Sequence, residues 1–191
     1  MRAFLLLPVA ALLATLLFEP PSSSAPGTAS MALPQFDASG ALRRPKSFEH
    51  WTFVGSNIGM SYDPGAQKGP GEFHNIYTQR QAFDTYKSTG KFPEQTTFLL
   101  VVYEPAQKVS INKSGYFEGE MTGLAASVKD SSRFKEGWAY FSFGESGNLS
   151  ETATALPAPM CFACHDKHAD DDHVFVQFHP MLRAARHKSR P

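Results

Sequence analysis

The two cysteines of this 191-residue chain are Cys161 and Cys164, and His165 follows at once in the run CFACH. Cys-x-x-Cys-His is the pattern of covalent c-type haem attachment. Two thiols add across the two vinyl groups of the macrocycle, and the adjacent imidazole is thereby delivered to the iron as an axial ligand. On one helical turn Cys161 and His165 are four residues apart and share a face. At ordinary residue frequencies the pattern arises by chance in about one chain in a thousand of this length. The expected cofactor is one covalently bound haem c, with thioethers at Cys161 and Cys164 and the metal on His165. Two other chemistries use the same residue types. A disulfide loop or a thioredoxin-like redox pair needs the two thiols alone, but such a pair normally accompanies a βαβ pattern that this chain lacks. A zinc site would take Cys161, Cys164, His168 and His173, at a spacing that is short though chemically allowed.

The kind of haem protein depends on the second axial position. Small electron carriers usually bear the motif near their start and a methionine ligand far downstream, whereas here the motif lies close to the carboxyl end and only Met181 follows. Its thioether reads as packing in a terminal amphipathic helix. His168, His173, His179 and His187 are further candidates, but a histidine near haem is often bound to a propionate or to solvent. A five-coordinate iron with an accessible distal side is therefore expected, which suits small ligands better than outer-sphere electron transfer alone.

The elements that must position these groups are those of one ordinary domain. Hydrophobic residues make up 42% of the chain, enough for a core. The 18 basic residues balance the 18 acidic ones, so no phosphate-seeking surface shows in the totals and nucleic acid is not expected as a partner. Met1-Arg2 and the apolar run 3–18 are too short for a membrane span and are followed by the small, polar stretch 20–30. Residues 1–30 are read as a secretory signal peptide, which places the mature protein in the periplasm or outside the cell. Residues 31–47 form an N-terminal extension and 48–188 the functional domain.

Within that domain, Trp51 to Ile58 reads as a strand and 63–71 as a forced loop. Thr78-Gln79-Arg80-Gln81 has the capping-box pattern and opens a helix over 79–89, stopped by Gly90. Thr96 to Tyr103 is apolar nearly throughout and predicts a central strand covered on both faces. Gly115 to Met121, Leu124 to Val128 and Trp138 to Phe143 read as further strands. A short helix over 159–168 and another over 180–188, opened by Pro180, complete the chain. Strands outnumbering helices give an α+β fold: a single antiparallel-sheet-rich domain with a C-terminal haem-attachment segment.

The blocks WTFVGSNIGMSY at 51–62, FHNIY at 73–77, TGKFPEQTTFLL at 89–100, GLAASVKDSSRF at 123–134, GWAYFSFG at 137–144, CFACH and VFVQFHPMLR at 174–183 run along most of the mature chain. In this order, the sequence resembles the cytochrome P-460 and cytochrome c′-beta family of exported mono-haem c-type proteins. The resemblance implies an antiparallel-sheet homodimer with His165 as the proximal ligand. Hydroxylamine-oxidising members carry a lysine, cross-linked to the haem edge, in the strand after an F-P-[DE]-x-T element. Here that element is Phe92-Pro93-Glu94-Gln95-Thr96, and the aligned position is Leu100, which has no nucleophile. Lys91 and Lys108 fall outside the strand pattern and read as solvated surface residues. Members without the lysine resemble cytochrome c′-beta, whose apolar distal pocket admits nitric oxide and similar diatomics.

The residues suit that reading. Phe98, Leu100 and Val102 share one strand face, and over haem they would form an apolar lid without a hydrogen-bond donor. Trp138, Tyr140 and Phe143 read as core, and Glu118, Glu120 and Glu145 as solvent-facing. The expectation is a periplasmic cytochrome that binds nitric oxide or related nitrogen oxides and exchanges electrons with a redox partner protein. The alternatives are a hydroxylamine-oxidising enzyme and a plain electron-transfer cytochrome.

Overall fold

The computed structural model describes residues 31–61, 65, 69–107 and 113–188. The expected signal peptide, most of the turn-rich stretch 63–71 and Lys108 lie outside them. Five strands, β2 (Thr52–Ile58), β3 (Phe73–Thr78), β4 (Thr97–Ala106), β5 (Phe117–Lys129) and β6 (Trp138–Gly144), form one antiparallel sheet in chain order. A two-stranded ribbon pairs β1 (Leu42–Arg43) with β7 (Thr152–Ala153). Three helices, α1 (Arg80–Thr89), α2 (Phe162–His168) and α3 (Pro180–Lys188), complete an α+β domain.

β4 lies in the middle of the sheet, as its unbroken apolar run predicts, because a strand covered on both faces has no polar side to offer solvent. Its side chains alternate between two cores. Phe98 joins Val54, Phe83, Tyr86, Phe92, Trp138, Tyr140 and Leu182 on the helix-covered face. Leu99 and Val101 join Leu42, Leu124, Val128, Phe141 and Phe143 on the other. On the first face α3 packs against α1 and β2, while α2 packs against β6. The two flanking helices therefore stand over opposite edge strands.

Three local features differ from the sequence reading. The capping box does not form: Gln79 occupies the cap position with no side-chain cap bond, and Thr78 Oγ1 instead donates to the Thr97 carbonyl at 3.0 Å. Gln79 is drawn away because its Oε1 accepts from the Thr97 N–H at 2.7 Å and its Nε2 donates to the Gln95 and Ala32 carbonyls. The two strands read at 115–121 and 124–128 are one, β5, because the pairing shifts between Val102 and Tyr103 and lets the strand pass Thr122 as a bulge. β3 adds a strand that the reading named only as a block of resemblance, and it carries two of the residues that matter below.

Candidate functional site

Cys161 caps α2, and its carbonyl accepts both the Cys164 and the His165 N–H at 3.1 Å. That shared acceptor winds the motif into one turn and sets Cys161 and His165 on a common face. The two thiols are not joined to each other. Burial pushes the Cys161 thiol up, and neighbouring Cys164 adds to the shift, so the sulfur is held as the thiol.

His165 Nδ1 lies 2.8 Å from the His173 carbonyl oxygen, so the ring nitrogen that carries hydrogen there is Nδ1 and the Nε2 lone pair is left for a metal. The imidazole is wedged between Tyr140 and Phe175, with ring centroids 4.5 Å away on each side. Burial holds it below the ordinary imidazole range, more than the bond to His173 raises it, so it is neutral and competent as a ligand. Burial, reinforced by the charges that the two thiols and Asp172 would carry, likewise drives the Tyr140 hydroxyl far above its usual range. That hydroxyl stays protonated and reaches the His173 carbonyl at 3.4 Å.

The His173 carbonyl is aimed by two consecutive left-handed residues, Asp172 at φ 46° and His173 at φ 58°. Non-glycine residues in that region cost about 1–3 kcal/mol each unless something holds them. The holding group is the Asp172 carboxylate. Lys129 Nζ donates to one oxygen at 2.7 Å and Trp138 Nε1 to the other at 3.2 Å. Lys129 and Trp138 are direct cross-strand partners on β5 and β6, so the sheet register brings both donors to one carboxylate. Lys129 Nζ also donates to the Phe92 carbonyl at 2.9 Å, within the F-P-E-Q-T element.

Cys161, Cys164, His165, Phe98 and Leu100 line one cavity of about 690 Å³, within the range of cofactor sites. Its floor is the helix-covered face of the sheet. Phe98 stands opposite Ser127, and Leu100 opposite Ala125. These two small side chains leave the volume open. Among the described residues, none that lines the cavity is Lys, Arg, Asp or Glu. A smaller cleft of about 360 Å³ beside Pro34 and Arg43 holds none of these groups.

The structure separates the remaining candidates. His168, His173 and His179 line the cavity, whereas Met181 does not. Met181 is 47% exposed, and the helix packs through Leu182 and Ala185 instead, so its expected packing role is not observed. The side chain of His187 lies outside the described set. Val102 does not line the cavity, while Tyr140, read as core, is both core and lining. Trp138 and Phe143 are core, and Glu118, Glu120 and Glu145 face solvent. Among the described residues no three of His, Cys, Asp or Glu converge closely enough to hold a metal ion, which removes the donor set from the zinc reading. The lid expected to lack donors is bordered by several, since His74 on β3, Asn57 on β2, Ser127 and His179 line the same space. Nothing in their isolated positions marks them; only the pairing of β3 with β4 and the docking of α3 bring them in.

These residues fit haem: two unpaired thiols and a neutral imidazole with Nε2 available share one turn beside an uncharged cavity of sufficient volume. A family model described as Cytochrome P460 matches residues 45–176. No curated protein gives a significant match.

Proposed function

The chain belongs to the cytochrome P460 family, and from that premise we propose that it is an exported cytochrome with one covalent haem c, binding nitric oxide or a related nitrogen oxide on an open iron face. Haem is the cofactor that the family implies. The observation that carries the finer reading is the His165 imidazole, held by the His173 carbonyl at 2.8 Å at the wall of an uncharged cavity.

Cys161 and Cys164 would each lend the sulfur of a thioether, and His165 Nε2 would hold the iron. When bound, haem supplies a metal with one vacant coordination position that takes a small ligand reversibly. The chain's own residues do the rest. Tyr140 and Phe175 flank the imidazole, the His173 carbonyl keeps its proton on Nδ1, and Phe98, Leu100 and Ile76 would give a bound haem an apolar wall. Leu100 lines the cavity where the resemblance would place a cross-linking lysine, and among the described residues no lysine lines it. This favours ligand binding over hydroxylamine oxidation. The mature protein works as a periplasmic or secreted homodimer in this reading, with exposed Phe53, Tyr116 and Phe117 as apolar surface available to a second copy.

The test is an absorption spectrum of the purified ferrous protein before and after nitric oxide, with a pyridine haemochrome assay following acid and solvent extraction. A five-coordinate high-spin spectrum that changes on nitric oxide, and colour that stays with the polypeptide, are expected. A low-spin six-coordinate spectrum would favour electron transfer. Turnover of hydroxylamine with an electron acceptor would favour the enzyme.

A further inference from the structure

His179 is only 6% exposed, lines the cavity, and has an Nδ1 that is enclosed without a hydrogen-bond partner. Leaving a buried N–H unpaired costs about 1–3 kcal/mol, so the enclosed Nδ1 is the nitrogen better left without hydrogen. The fold makes room for it deliberately. A Cβ on Gly55 would come within 2.9 Å of Nδ1, and Gly55 follows the bulge of β2 at Val54. His165 stands against Tyr140 on β6, the far edge strand, while His179 stands against Gly55 on β2. The two imidazoles therefore sit over opposite edges of the sheet and wall the same cavity from two sides.

Burial holds the His179 ring below the ordinary imidazole range, and nearby Arg183 pushes the same way, so the ring is neutral and has one N–H. Of its two nitrogens only Nδ1 is enclosed without a partner. The proton is best placed on Nε2, the nitrogen still able to reach one. We propose that His179 is the cavity's hydrogen-bond donor to the small ligand, Nε2–H serving an electron-rich atom of a nitrogen oxide. The inference rests on the ligand-binding reading above and deepens it: the apolar strand wall excludes water, and His179 selects ligands with an acceptor atom.

The test uses the haem-loaded protein and carbon monoxide as the probe. In the ferrous carbonyl adduct, His179→Phe is expected to raise the carbon monoxide stretching frequency, and His179→Gln, which retains a donor, to restore it in part. Gly55→Ala keeps the imidazole but displaces it, and should shift the band in the same direction as His179→Phe even if that variant folds poorly. Nitric oxide dissociation should quicken about five-fold in His179→Phe, as expected for one lost neutral hydrogen bond. His50→Phe, at an exposed position that does not line the cavity, should leave the band where it is. Bound haem with an unchanged band in both His179→Phe and Gly55→Ala overturns this inference alone. A chain without covalent haem overturns the functional reading and this inference together. A ferrous low-spin spectrum that becomes high-spin in His179→Phe would make His179 a ligand and also overturn it.

Discussion

A neutral imidazole has a single proton to place, and a carbonyl on one side of the ring decides where it goes. For His165 that carbonyl belongs to His173, and its aim depends on a carboxylate one residue earlier. Asp172→Ala removes the acceptor shared by Lys129 and Trp138 and leaves a largely buried ammonium with the neutral Phe92 carbonyl and no counter-charge. It is expected to cost about 1–3 kcal/mol in urea denaturation. It should also lower the iron–histidine stretching frequency in resonance Raman, because a weaker Nδ1 bond makes the imidazole a poorer donor. Lys129→Met should show the same spectral direction with a smaller shift. The buried His179 sets a pH dependence through the proton that the unfolded chain binds and the folded ring does not. Below about pH 6.5 the unfolded chain takes up a proton that the folded ring refuses, so stability falls as pH falls. The slope is at most about 1.4 kcal/mol per pH unit for this one group. Denaturation midpoints should therefore drop between pH 7.5 and 5.5, and His179→Phe should flatten that drop.

At the level of elements, Gln79 shows how a side chain meant for local use is recruited elsewhere. Its amide satisfies the buried Thr97 N–H and the Gln95 carbonyl, joining the start of α1 to the start of β4. Gln79→Ala leaves the buried Thr97 N–H unpaired and the Gln95 carbonyl with only the long bond from the Thr97 hydroxyl, and should cost about 1–3 kcal/mol, read from thermal or urea unfolding. The same recruitment explains why a capping box was legible at 78–81 and did not form. Strands β4 and β6 were legible because their apolar runs leave few alternatives, and α3 because Pro180 opens it. β3 was not, since His74, Asn75 and Thr78 break any simple alternation. Asn75 is nevertheless only 2% exposed, paired through Nδ2 with Glu118 at 2.7 Å. In the site, the thiols and His165 were legible because their chemistry requires sequence adjacency. The grip on Asp172 was not, because it depends on Lys129 facing Trp138 across two strands. His179 was visible as one histidine among seven, with nothing to separate it until Gly55 was seen beside it.

Across the whole molecule, burial is distributed unevenly. Strands supply most of one core and helices and loops share the other with them, whereas α2 is seven residues long and has no buried residue. Segments with so little burial open at small free-energy cost. In the haem-free protein, amide hydrogen exchange is expected to be fast across 162–168 and slow across β4 and β5, by mass spectrometry of peptic fragments. Equal protection of α2 and the central strands would contradict this. It follows that the segment bearing the thiols stays pliable after the scaffold has set. If a haem is attached covalently, as proposed, both sulfurs would be reached without undoing the aromatic packing behind them, and the tetrapyrrole, once fastened, would lock the tail in place.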